Sequence, residues 1–134
     1  MKIQSSELFP SAFNNDFRAI INHDFTYYCE AGGRGSCKSS FISIALVTLL
    51  LSHENANALV LRKVFNTLRD SVYSQIVWAI EKLQVAHLFR FTKSPLEMVK
   101  IDTGQKIIFR GADEPVRIKS IKLERGYFAL TWFE

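Results

Sequence analysis

The chain has 134 residues, near the scale of roughly 100 to 200 residues for one domain, so within these residues a modular multidomain arrangement is excluded. Hydrophobic residues make up 48% and aromatics 13%, with six glycines and three prolines, which excludes a disordered or collagen-like chain and supplies a core. The formal charge of +4 lies in the second part, since residues 1–60 hold four Lys/Arg against five Asp/Glu and residues 61–134 hold thirteen against eight; scattered single charges of this kind read as a solvated surface before they read as a phosphate footprint.

The longest mainly apolar stretch, Phe41 to Leu51, is eleven residues, against about 20 for a bilayer span, so no membrane association is expected. Met1 to Glu7 lacks the apolar centre of a secretory signal. Cys29 and Cys37 lie eight apart without a second pair, which fits neither a zinc site nor a disulfide framework. Reduced thiols in a cytosolic chain are the expectation.

Residues 1–24 read as a lead-in segment with a short helix near Phe17 to Ile21. Phe25 to Cys29, aromatic and β-branched, reads as a strand that runs directly into a glycine cluster. Lys38 to about His53 predicts four helical turns, apolar nearly all round after the first and therefore buried. Ala58 to Leu61 is a short run of the buried-strand type. Leu68, Val72, Ile76, Ile80 and Leu83 recur at helical spacing, which predicts an amphipathic helix over Asn66 to Leu83 with Arg69, Asp70, Gln75, Glu81 and Lys82 largely outside the apolar stripe. Phe89 to Thr92, Met98 to Ile101 and Lys106 to Phe109 then read as short strands of an antiparallel insertion, turning at Asp102-Thr103-Gly104-Gln105. Gly111 to Pro115 is a turn or helix entry, and Tyr127 to Phe133 a last apolar strand ending at Glu134.

The chemistry is carried by Gly32-Gly33-Arg34-Gly35-Ser36-Cys37-Lys38-Ser39, which matches the phosphate-binding loop G-x-x-x-x-G-K-[ST] except that Cys37 replaces the last glycine. A nucleoside triphosphate needs backbone N–H groups wrapped round its β-phosphate and a helix N-terminus whose dipole favours the anion. A strand before the loop and a helix after it supply that context. Lys38 would reach the β- and γ-phosphates, Ser39 would complete a Mg²⁺ shell, Ser40 would lie inside the helix, and Arg34 would add charge against the γ-phosphate. Only glycine adopts positive φ freely, so Cys37 is expected at negative φ. Such a loop is paired with a carboxylate at the end of an apolar strand, and Glu134 is in that position. The bland reading of each piece, a glycine-rich turn with a chance Lys-Ser and a strand that happens to end in Glu, weighs less once both occur in one chain.

These residues resemble the large terminase of tailed bacteriophages, in its prophage-type branch. The resemblance is carried by Gly32 to Ser40, by Val60-Leu61-Arg62-Lys63 followed by Asn66 to Val72, by Phe109 to Pro115 with Ile118 to Lys122, and by Trp132-Phe133-Glu134, in that order over residues 25–134. It implies an α/β P-loop NTPase of the additional-strand type, with a mostly parallel central sheet flanked by helices and a β-hairpin insertion. By motif position it implies that Gly32, Gly33, Arg34, Gly35, Ser36, Cys37, Lys38, Ser39 and Ser40 bind nucleotide, that Lys38, Arg34 and Glu134 are catalytic, and that Ser39 and Glu134 serve the metal. The implied cofactors are ATP and Mg²⁺. The implied partners are double-stranded DNA, the small terminase subunit, the portal protein and other large-terminase subunits, in the cytoplasm of a bacterial host and transiently at the prohead portal.

The family next places a second Glu as catalytic base and then a nuclease domain. The expectation is therefore an incomplete ATPase domain that stops at the Walker B strand, with residues 25–134 as its P-loop core, and that binds nucleotide with little turnover. The alternatives are a non-catalytic prophage remnant and a P-loop ATPase of another class, such as a helicase. His23, His53 and His87 are too scattered for a metal site.

Overall fold

The computed structural model describes residues 14–22, 38–63 and 69–134. In chain order these form α1 (Asn14–Ile21), α2 (Lys38–Ser52), β1 (Ala56–Arg62), a π-helical turn (Arg69–Tyr73), α3 (Ser74–Lys82), a 3₁₀ turn (Ala86–Leu88), β2 (Phe89–Lys93), β3 (Leu96–Lys100), β4 (Lys106–Gly111), α4 (Pro115–Lys119) and β5 (Tyr127–Phe133). The expected strand over Phe25 to Cys29, the loop from Gly32 to Cys37 with the expected φ of Cys37, and the first residues of the Asn66 helix lie outside the described residues.

The described strands make one sheet in the order β2-β3-β4-β1-β5. β1 pairs in parallel with β4 on one side and β5 on the other, while β2–β3 and β3–β4 are antiparallel. Among the described residues the sheet is thus mixed, and the expectation of a mostly parallel sheet is corrected. The hairpin strands are not a separate flap, because β4 is at once the last antiparallel strand and a parallel neighbour of β1.

Side-chain alternation explains why the sheet holds α2 and α3 on one face. Ala58 and Val60 of β1, Ile107 and Phe109 of β4, Met98 of β3 and Trp132 of β5 point into a common core with Phe41, Ile44, Leu46, Val47 and Leu50 of α2 and Val72, Ile76, Ala79 and Ile80 of the helical segment after β1. Tyr73 packs its ring 5.1 Å from that of Phe109. Inside α2 the hydroxyls of Ser43 and Thr48 donate to the carbonyls of Ser40 and Ile44, at 2.9 and 2.8 Å, so a helix buried nearly all round hides no unpaired hydroxyl at these positions. On the opposite sheet face Glu97 lies across from Ile108, diagonal to Lys106 and Arg110, and its carboxylate meets Arg110 at 3.2 Å and Lys106 at 3.7 Å.

At the amino ends of the parallel strands two buried amides tie the layers together. Gln105 Nε2 lies 2.9, 2.7 and 2.7 Å from the carbonyls of Leu50, His53 and Ala56, so it caps the end of α2 and holds it to the start of β1. Asn57 donates to the carbonyls of Arg125 (2.8 Å) and Tyr127 (3.2 Å) and accepts from the Lys106 amide (2.8 Å), which locks β1 to both neighbours beside the register shift between Asn57 and Ala58. Gly126, at φ +75°, brings β5 in so close that an added Cβ would sit 1.9 Å from the Asn55 carbonyl oxygen.

Candidate functional site

In open α/β sheets ligands bind outside the carboxyl ends of the strands. Here those ends are Gly111 on β4, Arg62 on β1 and Phe133 on β5, and pairing runs on past them: the Glu134 amide donates to the Leu61 carbonyl at 3.0 Å and the Ala112 amide to the Arg62 carbonyl at 2.8 Å. The backbone therefore fixes Glu134 beside the end of β1. Its residue is exposed, as a carboxylate that is to meet a ligand must be.

Lys38, Ser39 and Ser40 form the first turn of α2 and are each half-buried. That turn holds no acidic residue. A helix N-terminus carries about half a positive charge and ordinarily attracts Asp or Glu; the described first turn of this one carries a lysine and no acid.

Two separate sets of side-chain contacts from the segment after β1 reach these two features. The Arg62 guanidinium donates to the Ser71 hydroxyl, which donates in turn to Glu134 Oε2 at 3.4 Å. Four residues on, Gln75 Nε2 donates to Ser40 Oγ at 3.4 Å. The π-turn and α3 thus touch both the strand-end carboxylate and the first turn of α2. Of the expected site residues, Lys38, Ser39, Ser40 and Glu134 are brought to one region, while Gly32, Gly33, Arg34, Gly35, Ser36 and Cys37 lie outside the described residues.

Sequence reasoning did not single out Ser71 and Gln75, which contact Glu134 and Ser40. Gln75 was expected largely outside the apolar stripe, yet it is half-buried against α2. The available signal was the pair itself, two hydrogen-bonding side chains spaced four apart and hence neighbours on a helical surface, in the helix following a strand that ends in Arg62.

A family model described as "Phage terminase large subunit" matches residues 23–134. The chain belongs to the phage terminase large subunit family. It is 38% identical to the large terminase subunit of Bacillus phage SPP1 over 133 residues, covering 99% of this chain and 31% of that protein. It is 35% identical to the PBSX phage terminase large subunit of Bacillus subtilis strain 168 over 115 residues, covering 86% of this chain and 25% of that protein. The terminase chain described here thus spans less than a third of the length of these relatives. None of its helices, among the described residues, is long and apolar enough to cross a membrane.

Mg²⁺ prefers oxygen donors and is usually held by one or two carboxylates together with substrate phosphates, not by a protein cage. The described residues include no group of three or more His, Cys, Asp or Glu placed to hold a metal, whereas the Glu134 carboxylate and the Ser39 hydroxyl are oxygen donors at the same end of the fold. This donor set fits a metal that arrives with a phosphate.

Proposed function

We propose that residues 25–134 are the nucleotide-binding front of a P-loop ATPase of the additional-strand type that drives double-stranded DNA into phage proheads. The observation that carries the reading is the pair of side-chain contacts by which the segment after β1 reaches both Glu134 and the first turn of α2. The family membership and the loop sequence Gly32 to Ser39 support it.

In this reading Lys38 contacts the β- and γ-phosphates, Arg34 faces the γ-phosphate, Gly32, Gly33, Gly35, Ser36 and Cys37 supply the backbone of the loop, and Ser40 stays within the helix. Ser39 and Glu134 would hold Mg²⁺, which supplies neutralisation of charge on the phosphate oxygens. Glu134, exposed and held at the strand end by its backbone amide, would serve it directly or through water. The expected partners are the small terminase subunit, the portal protein and further large-terminase subunits, in the host cytoplasm and at the prohead portal.

Titrating MgATP into wild type and Lys38→Ala tests the reading. Loss of affinity by about tenfold or more in the variant is expected for removal of a charge-assisted phosphate contact. Equal binding by both, or none by the wild type, would turn the assignment toward a non-catalytic remnant.

A further inference from the structure

We propose that Ser71 and Gln75 are positioning residues of this site: Ser71 aims the Glu134 carboxylate at the metal, and Gln75 sets the first turn of α2 for the phosphates. The inference rests on the nucleotide reading above and deepens it by separating metal-side from phosphate-side support.

The polarity of the chain through Ser71 is dictated by its chemistry. A guanidinium has donors only, so the Ser71 hydroxyl accepts from Arg62 and keeps its single proton to donate to Glu134 Oε2, 3.4 Å away. A hydroxyl polarised by a cation on one side is a better donor on the other. Glu134 is exposed and its backbone is fixed at the end of β5, so this contact restrains a side chain that would otherwise sample several rotamers.

Gln75 acts on a different element. Its amide reaches the Ser40 hydroxyl in the first turn of α2, next to Lys38 and Ser39. The π-helical turn Arg69–Tyr73 sits where the segment passes into α3, and wide turns of this kind are frequent at functional sites. Ser71 lies within it and contacts β1 and β5, and Gln75 lies one turn on and contacts α2.

ATP affinity measured with Mg²⁺ and again with EDTA divides the two roles. Ser71→Ala should shrink the ratio of the two dissociation constants by about three- to tenfold while leaving the EDTA value unchanged, the size expected for one ordinary hydrogen bond. Ser71→Thr keeps the hydroxyl and should restore the ratio. In a Glu134→Gln background Ser71→Ala should add nothing, since its effect passes through that carboxylate. Gln75→Leu should show the opposite split, weakening binding in EDTA by about threefold with the ratio retained.

An unchanged ratio in Ser71→Ala, no rescue by Thr, or an equal loss in the Glu134→Gln background would overturn the role of Ser71, and an unchanged EDTA affinity in Gln75→Leu that of Gln75. If Ser71→Ala loses its helical circular-dichroism signal, Ser71→Cys takes its place in the cycle. Lys38→Ala keeps the two levels apart. If it binds ATP as the wild type does, the nucleotide reading itself has failed; if it loses binding while the Ser71 ratio stays fixed, only the positioning proposal has.

Discussion

The two ends of the parallel strands are built differently. At the amino ends Gln105 and Asn57, each only 1% exposed, place side-chain amides against backbone groups at 2.7 to 2.9 Å for their best contacts. At the carboxyl ends Arg62, Ser71, Gln75, Ser40 and Glu134 meet side chain to side chain, half-buried or exposed, and two of the contacts are 3.4 Å long. Buried amides on backbone carbonyls fix geometry because leaving those carbonyls unpaired is costly. Long contacts among half-buried and exposed side chains fix the backbone less tightly and leave polar atoms with capacity for a ligand. One end is therefore a clamp, and the other has the construction of a binding site.

The comparison is broken most severely at Gly126. An added methyl would lie 1.9 Å from the Asn55 oxygen and 2.7 Å from its carbonyl carbon, at a φ of +75° that disfavours a side chain. Both atoms belong to backbone, so β5 must move. Gly126→Ala should cost about 3 kcal/mol or more, a fall in melting temperature of roughly 10 °C for a chain of this size, measured by circular dichroism. A melt within a degree or two of wild type would mean that β5 does not approach Asn55 as described.

Next comes Gln105→Leu, which keeps the volume and removes the donor. The carbonyls of Leu50, His53 and Ala56 would each lose a partner, and a cost of about 2 to 3 kcal/mol is expected for leaving buried acceptors short. Chemical denaturation should show the midpoint falling with an unchanged slope. Lys38→Ala is the matching change at the other end. Its effect on ATP affinity should be about tenfold or larger, whereas its effect on stability should stay within about 0.5 kcal/mol, since removing a cation from a helix N-terminus relieves the field there as it loses other contacts. Ser71→Ala should resemble Lys38→Ala in sparing stability while touching affinity. A clamp residue that altered binding as strongly as these two would dissolve the distinction between the ends.

The amount that could be read from sequence follows the same division by physical type. Apolar periodicity places α2, β1 and β5 within a few residues, because burial of a continuous face is a property of the local pattern, whereas the single helix expected over Asn66 to Leu83 is, in its described part, the π-helical turn Arg69–Tyr73 followed by α3 (Ser74–Lys82). The run over Ala58 to Leu61 extends in the structure to Ala56–Arg62, and Asn57 inside it escapes notice because a polar residue next to a turn reads as solvated. Gln105 is the clearer case: in Asp102-Thr103-Gly104-Gln105 it has the composition of a turn, yet its partners lie 49 to 55 residues away, a separation that no local pattern carries. The mixed sheet was likewise illegible, because whether a hairpin stands apart or joins the main sheet depends on the pairing of β4 with β1. Lys38, Ser39 and Glu134 belong to a motif that is read locally, whereas the contacts of Ser71 and Gln75 are tertiary.

The smallest expected effect lies at the clamp end and shows that charge is not what holds it. Lys100 donates to Asp102 at 2.7 Å in the turn that leads to Gln105; the lysine side chain is 10% exposed and the carboxylate 63%. The hydrogen bond from Lys100 holds the Asp102 carboxyl below its usual range, against a weaker opposing effect of burial and with help from the lysine charge and from backbone amides. A carboxyl that ionises more readily in the fold than in the unfolded chain stabilises the fold where both are ionised, and that contribution drains away as pH falls through the folded value. The melting temperature of Asp102→Asn should therefore lie slightly below that of wild type at neutral pH, and the gap should close below about pH 4. Because the carboxylate stands in water, 0.5 M salt should shrink the gap as well. A gap that persisted in both acid and salt would mean that Asp102 works through the geometry of its turn and not through its charge.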